Sequence, residues 1–241
     1  MLASNEFADK VLNQYFITFK PRDIVSGDFY WFTKIENKTI VVAADCTGHG
    51  VPGAFMSMLG ITFLNEIVNK QKITEPDQIL NQLRKEIIKA LKQGRESKSK
   101  DGMDIAIVVI VPEKNILEYA GANNPVYIVQ KEIIELQNTT VIQELKPDKM
   151  PIAIYEKMAP FNKKQIAINS GDIVYLFTDG YADQFGGPKG KKFKYKQLKE
   201  YLIEIAPLSI ENQKTKIEQT FNDWKGINEQ VDDVLVIGVK I

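Results

Sequence analysis

The 241-residue chain is 44% apolar and 26% charged, with 31 basic residues balanced by 31 acidic ones, one histidine and one cysteine. This composition excludes a disordered chain, a general nucleic-acid binder, which needs a basic face, and both a disulfide framework and a cysteine-rich zinc site. The length suits one domain over residues 1–241 with a sizeable core, and the lone Cys46 suits a reducing, cytoplasmic setting.

The first residues, Met1 to Glu6, lack the charged and apolar regions of a signal peptide, and no apolar run approaches the roughly 20 residues of a membrane span. Residues 1–14 read as a residual linker or helix. Their abrupt entry into a strand reads as a domain excised from a longer protein, with a sensor segment upstream. Segments rich in β-branched and aromatic residues then predict strands at Tyr15 to Lys20, Asp28 to Ile35 and Thr39 to Ala44. Two helical patterns follow. Phe55, Met58, Leu59, Phe63 and Ile67 mark one apolar stripe, and Ile79, Leu80, Leu83, Ile87 and Leu91 mark another. Pro52 and Pro76 suit first turns, where a missing amide hydrogen is harmless.

Further strands are predicted at Ile105 to Val111, Leu117 to Ala120, Val126 to Val129, Ile173 to Phe177 and Val234 to Ile241. Helices are read around Leu198, Leu202 and Ile205, and around Ile210, Ile217, Phe221 and Trp224. Polar stretches Gln93 to Lys100 and Phe185 to Lys194 read as loops. No internal repeat is present. Strands in a row, a helix pair, more strands and then more helices do not alternate as a parallel βαβ sheet would, which favours α+β. Two antiparallel sheets packed face to face, with helices on the outer faces, would bury every stripe.

The chemistry gathers at strand mouths. The strand Thr39 to Ala44 runs into Asp45-Cys46-Thr47-Gly48-His49-Gly50, and Ile173 to Phe177 into Thr178-Asp179-Gly180, with Asp183 beyond. Asp28 interrupts an aromatic strand, where an unpaired carboxylate is costly to bury and needs a cationic partner. Asp232 and Asp233 lead into the last strand. Singly, each has a structural reading as turn, helix cap or solvated acid. Together, clustered carboxylates raise one another's pKa unless a cation neutralises them. With one histidine and one cysteine available, an all-oxygen shell suits Mg²⁺ or Mn²⁺ rather than Zn²⁺. Two such ions clamping an in-line attack on phosphorus make phosphate-ester hydrolysis the expected reaction.

The ordered set Lys20-Pro21-Arg22-Asp23-Ile24-Val25-Ser26-Gly27-Asp28-Phe29-Tyr30-Trp31, Asp45 to Gly50, Ala120-Gly121-Ala122-Asn123-Asn124-Pro125, Thr178-Asp179-Gly180 and Asp232-Asp233 resembles the PPM-type metal-dependent protein serine/threonine phosphatases. The resemblance is to their bacterial branch of stage II sporulation and stress-response phosphatases that regulate sigma factors, and it runs from about Phe16 to the C-terminus. It implies a four-layer αββα sandwich with two Mn²⁺ or Mg²⁺ ions. By motif, Asp45 would bridge both metals and the Cys46 carbonyl would serve one. Asp28 would bind directly or through water, and Asp179 and Asp232 would hold the other metal with Asp233 in support. A metal-bridged hydroxide would then attack phosphoserine or phosphothreonine.

Other roles stay open at this level. His49 is either a general acid or a residue that fixes its turn. Asp101 and Asp104 either hold a third metal or form a strand-entry turn. Lys20 and Arg22 are candidates for phosphate contacts. Lys189, Lys191, Lys192 and Lys194 form either a mobile flap that steers a phosphoprotein or a solvated loop. The Asn123-Asn124-Pro125 turn has no assigned chemistry. The resemblance implies a phosphorylated protein partner, such as a STAS-type anti-sigma antagonist, leaves a homodimer open, and gives no reason to expect nucleic acid or membrane contact. The alternative is a catalytically silent or ligand-sensing relative that serves as a partner-binding module.

Overall fold

A computed structural model describes residues 5–94, 101–131 and 142–241. Two five-stranded antiparallel sheets face each other. One runs in the order β1 (Gln14–Lys20), β12 (Val234–Lys240), β9 (Ile173–Phe177), β6 (Val126–Val129) and β7 (Gln143–Leu145). The other runs β2 (Phe29–Ile35), β3 (Lys38–Cys46), β4 (Met103–Val111), β5 (Ile116–Ala122) and β8 (Lys164–Ala167). A short hairpin, β10 (Phe185–Gly186) with β11 (Lys191–Lys192), stands apart from both.

The period-2 alternation of a strand divides its side chains between two faces. Val41, Ala43, Val108 and Ile110 therefore meet Ile128, Val174, Leu176, Leu235 and Ile237 between the sheets. The opposite faces are covered by helices. Ile40, Val42, Ile107 and Val109 pack under α2 (Gly50–Leu64) and α3 (Pro76–Ala90). Tyr127, Tyr175, Phe177 and Val236 pack under α5 (Tyr195–Ile205) and α6 (Ile210–Lys225). This is the expected αββα arrangement, with α1 (Asn5–Val11) and the single turn α4 (Gly180–Asp183) completing the helices among the described residues.

Several boundaries differ from expectation. Asp45 and Cys46 lie within β3 rather than beyond it, paired in register with Asp104 and Met103. Asp28 stands just before β2. Strands β7 and β8 are short and polar, so their alternation is too brief to read. The polar stretch from Phe185 carries the β10–β11 hairpin. Of the stretch Gln93 to Lys100, residues 95–100 lie outside the described residues. Gln93 itself is buried, its amide oxygen accepting from the Ile154 amide at 2.9 Å.

Helix α2 shows the clearest departure. Only the C-terminal part of the predicted stripe is inward: Ile67 is buried and Leu59 and Phe63 pack against the core, but Phe55 is 63% and Met58 42% exposed, and Gly53, Met56, Ser57, Gly60, Ile61 and Leu64 face inward. The helix is apolar all round, so periodicity alone does not choose a face. Glycines make the choice: a Cβ on Gly53 would collide with the Gly48 carbonyl and one on Gly60 would meet the Phe29 ring at 2.7 Å. Close approach of helix and sheet therefore selects the small-residue side. With the π-helical turn Asn65–Lys70, the segment Gly50–Lys70 is long and apolar enough to cross a membrane, contrary to the sequence expectation. In this fold it packs on the second sheet and contributes Ile61, Leu64, Ile67 and Val68 to the core, which accounts for its composition.

On the opposite face, Gln213 of α6 is fully buried. Its side chain accepts from the Tyr175 hydroxyl at 2.8 Å and donates to the carbonyls of Ala206 at 3.2 Å and Leu208 at 3.0 Å. It ties the β9 layer to the α5–α6 turn. Replacing it by alanine strands these partners, and an unsatisfied buried polar group costs about 1–3 kcal/mol. Gln213→Ala is therefore expected to lower unfolding free energy by about 2–3 kcal/mol in urea denaturation, with an unchanged denaturant slope.

Candidate metal centre

The two sheets converge at one end on a group of aspartates. Asp28 precedes β2 and is buried, and its Oδ2 accepts a hydrogen bond from the Thr178 hydroxyl at 2.5 Å. The same hydroxyl accepts from the Leu235 amide at 3.1 Å, so one threonine joins the mouths of β9 and β12 to the start of β2. No lysine or arginine pairs with Asp28 among the described residues; its hydrogen-bond partner is the neutral Thr178 hydroxyl.

Asp45 faces Asp104 across the β3–β4 ladder, an arrangement of like charges that destabilises a bare sheet. Asn123, at φ 53°, donates from its side-chain amide to Asp104 Oδ1 at 2.9 Å. Asn124 is buried and donates to the Phe177 carbonyl at 2.8 Å, fixing the β5–β6 turn against the end of β9. The Asn-Asn-Pro turn thus has a role: it orients one acid and anchors the strand that delivers another. Asp45, Asp104, Asn123, Asn124, Thr178, Asp179 and Tyr195 line a cleft of about 70 Å³.

Burial pushes the Asp45 carboxyl up to about 10, helped by the charges of Asp28, Asp179, Asp232 and Asp104. Asp28 is likewise raised by burial and, more weakly, by Asp233, Asp232 and Asp179, while the Thr178 hydrogen bond opposes the rise. Asp179 moves to about 6 through burial and the charges of Asp232 and Asp183, restrained by a hydrogen bond with Asp45. Asp104 is raised by burial. No lysine or arginine pairs with any of these acids among the described residues. Nor do three acidic, histidine or cysteine side chains among the described residues already stand in metal-holding positions. Burial and like charge instead favour the protonated forms of Asp45 and Asp179, which accommodates two acids close together.

The remaining expected residues divide. Asp232 lies at the same mouth, as its charge on Asp28, Asp45 and Asp179 shows. Its Oδ1 accepts from the Asp233 amide at 2.9 Å. Asp233 is buried and spends both oxygens on backbone, accepting from Arg22 N at 2.7 Å and Gly27 N at 2.8 Å. It fastens the loop that carries Asp28. The Cys46 carbonyl lies 3.3 Å from where a Gly27 Cβ would stand, so the glycine leaves room beside it. The Cys46 thiol is buried, free and raised by burial. His49 and Asp23 form an exposed pair, Nδ1 to Oδ2 at 2.7 Å. Arg22 donates from Nη1 to the Val231 carbonyl at 2.9 Å, and Lys20 donates to Asn222 at 3.4 Å, so neither is aimed at the cleft. Asp101 is exposed.

Two participants escaped the sequence reading. Thr178 was visible only as part of Thr-Asp-Gly, with no sign that its hydroxyl would hold Asp28. Tyr195 opens α5 at the cleft, its hydroxyl pKa raised by burial and then by Asp179 and Asp183. Nothing local marks it.

The stage II sporulation protein E (SpoIIE) family matches residues 35–241. The chain belongs to this family. Its fold is that of PP2C-type phosphatase domains. The SiaA PP2C domain of Pseudomonas aeruginosa superposes with a TM-score of 0.87 at 26% identity, covering 100% of this chain and 91% of that one. The SpoIIE phosphatase domain of Bacillus subtilis, solved with a fragment of its regulatory domain, gives 0.72 at 14% identity, covering 95% and 63%. The RsbU and RsbW domains of Rv1364c from Mycobacterium tuberculosis give 0.70 at 17%, covering 94% and 59%. No curated protein sequence matches the chain at a significant level.

The raised acids link stability to pH. A carboxyl whose folded value exceeds its ordinary 3.8 binds its proton more tightly in the folded state. It contributes stability that is complete below about pH 4 and is lost as the pH rises towards about 6 for Asp179 and about 10 for Asp45. In EDTA, the melting temperature is expected to fall from pH 5 to pH 8. Asp45→Asn should raise it at pH 8, by about 2–4 °C for each kcal/mol of repulsion relieved, and flatten the slope. Thermal melts of both proteins across this range check it.

Proposed function

We propose that this SpoIIE-family chain is a metal-dependent phosphoprotein phosphatase acting on phosphoserine or phosphothreonine in bacterial signalling. The carrying observation is that acids from separate strand ends converge without a cationic side chain among the described residues: Asp45 faces Asp104 across the β3–β4 ladder and lines one cleft with it and Asp179, and burial raises the carboxyls of all three. A divalent cation pair is the counter-charge that suits such an oxygen-only set.

In this reading Asp45, the Cys46 carbonyl, Asp28, Asp179 and Asp232 would hold the metal pair, with Asp45 the central ligand. Two Mn²⁺ or Mg²⁺ ions bound there would supply charge neutralisation and an activated water for attack on phosphorus. RsbX, a neighbour at 13% identity and a TM-score of 0.63, was solved with magnesium, which supports this choice. The chain's own groups hold the frame. Thr178 fixes the orientation of Asp28, Asn123 that of Asp104, and Asp233 the loop between Arg22 and Gly27. Asp233 therefore supports the centre from behind rather than facing a metal.

His49 is assigned the general acid that protonates the departing serine oxygen, held by Asp23 through Nδ1 with Nε2 left for the proton transfer. A cytoplasmic setting suits the free Cys46 thiol. The regulatory phosphoprotein is of the STAS anti-sigma antagonist type by resemblance, and a solved neighbour that combines RsbU with RsbW supports that context. An upstream regulatory segment fits the SpoIIE neighbour, whose structure includes part of its regulatory domain.

Hydrolysis of p-nitrophenyl phosphate and of a phosphoserine peptide should require Mn²⁺ or Mg²⁺ and stop in EDTA. Asp45→Asn and Asp179→Asn should each lower kcat at least about 100-fold. Turnover that persists in EDTA and in both variants overturns the mechanism. His49→Gln should reduce kcat about 100-fold for the peptide, whose serine oxygen needs a proton. It should have a smaller effect on p-nitrophenyl phosphate, whose leaving group does not, and equal losses would assign His49 to loop structure.

A further inference from the structure

We infer that the β10–β11 hairpin is a fixed docking rim for acidic residues flanking the phosphorylated side chain, which would make the enzyme selective for phosphoserines in acidic segments. The inference rests on the phosphatase reading and adds a substrate class to it.

The chain is electrically balanced, yet Lys189, Lys191, Lys192 and Lys194 fall within six residues. All four are exposed. Lys192 is neutralised by Asp183 at 2.7 Å. Lys189, Lys191 and Lys194 have no ion pair among the described residues, so a local positive field remains at this edge. These lysines, with Trp224 and Phe193, line a groove of about 280 Å³.

The groove adjoins the acid centre. Lys192 holds Asp183, whose charge is felt by Asp179, and Lys194 immediately precedes Tyr195 on the cleft wall. A phosphoserine seated at the cleft places its chain neighbours about 3.3–3.6 Å further on per extended residue, so contact with the rim falls to the residues that flank it. Acidic neighbours meet lysine there, whereas basic ones meet like charge.

The rim is also preformed. Gly187 N donates to the Trp224 carbonyl at 2.8 Å, Trp224 Nε1 to the Gln184 carbonyl at 3.1 Å, and Phe193 N to the same carbonyl at 3.0 Å. A Cβ on Gly187 would meet the Trp224 ring at 2.5 Å, so only glycine permits this seat. Phe193 and Trp224 pack edge to face with centroids 5.1 Å apart. The hairpin is thus pinned rather than a mobile flap, and a fixed array of lysines loses less entropy on binding than one ordered by its partner. A nucleic acid is disfavoured because the chain's charge is balanced overall and this edge is not extended into a wider basic face.

The test uses the full chain with Mn²⁺ and three probes: p-nitrophenyl phosphate, a phosphoserine peptide with aspartate flanks, and the same peptide with serine flanks. The wild type should favour the acidic peptide about 10-fold in kcat/KM, as a few exposed ion pairs allow. The preference should fade near about 0.5 M salt, where the Debye length is only about 4 Å. The triple variant Lys189→Glu, Lys191→Glu, Lys194→Glu should lose or reverse it while p-nitrophenyl phosphate turnover stays within about twofold, since no rim charge would contact that probe. The alanine triple variant should abolish the preference without reversing it, which separates charge from misfolding.

Equal kcat/KM for the two peptides in the wild type, or a preference that survives both triple variants, overturns the inference. Displacement of the labelled acidic peptide by single-stranded RNA as readily as by unlabelled peptide would reassign the rim to a generic polyanion surface and also overturn it. Anisotropy of that labelled peptide reads the rim independently of turnover. Absence of p-nitrophenyl phosphate hydrolysis in the wild type therefore counts against the phosphatase reading, and absence of charge-dependent binding counts against the rim.

Discussion

The Thr178 hydroxyl, donating to Asp28 and accepting from Leu235, sits at the seam between the two sheets. Asp28 immediately precedes the edge strand of one sheet, Thr178 immediately follows β9 of the other, and Leu235 lies in its neighbour β12. Asp233 reinforces the seam by accepting from Arg22 and Gly27, the loop that leads into β2. Without these contacts, nothing in the apolar filling between the sheets would set where their ends lie, because hydrophobic burial is non-directional. The polar seam supplies direction: the positions of Asp179 and Asp232 relative to Asp28 follow from it, while the Phe29–Ala44 pairing of β2 with β3 sets Asp45 beside Asp28.

Such a seam concentrates negative charge in a place of low dielectric, which the fold withstands because its stability resides elsewhere. Three apolar layers flank and separate the sheets, and the acids occupy only their shared rim. The opposed pair Asp45 and Asp104 is held in register by a ladder whose other members, from Thr39–Ile110 to Ala44–Ile105, are mostly apolar. A rigid ladder keeps two acids opposed that flexible loops would let separate. The rim is therefore a site where electrostatic strain is retained by packing, the usual circumstance in which a cation or substrate gains affinity from the scaffold.

Much of this was legible in the sequence because it violates local rules. A carboxylate before an aromatic strand, or at the mouth of a β-branched run, conflicts with burial, and that conflict located Asp28, Asp45, Asp179 and Asp232. The large strands and the α3 stripe followed from clear periodicity. What was not legible depended on tertiary choice. Helix α2 has apolar residues on every side, so its buried face was selected by where Gly53 and Gly60 permit approach, and Phe55 and Met58 were left outside. Asp232 and Asp233 look alike in sequence, but strand direction sends the second into the backbone amides behind the site. Strands β7 and β8 are pairings of short polar segments with long neighbours, created by the sheet rather than by their own residues.

The hairpin beyond Asp179 shows how the same end of the fold separates opposite charges. The acids lie within the rim, where burial strengthens their mutual repulsion, and the lysines stand in solvent, where water weakens theirs. Only Lys192 crosses between the two sets, pairing with Asp183 and thereby drawing the hairpin toward the acid-bearing turn α4. Lys189, Lys191 and Lys194 make no ion pair with the acids among the described residues. On the proposed reading, that separation admits a small cation between the buried acids and leaves the exposed lysines to meet anionic groups too large to follow it.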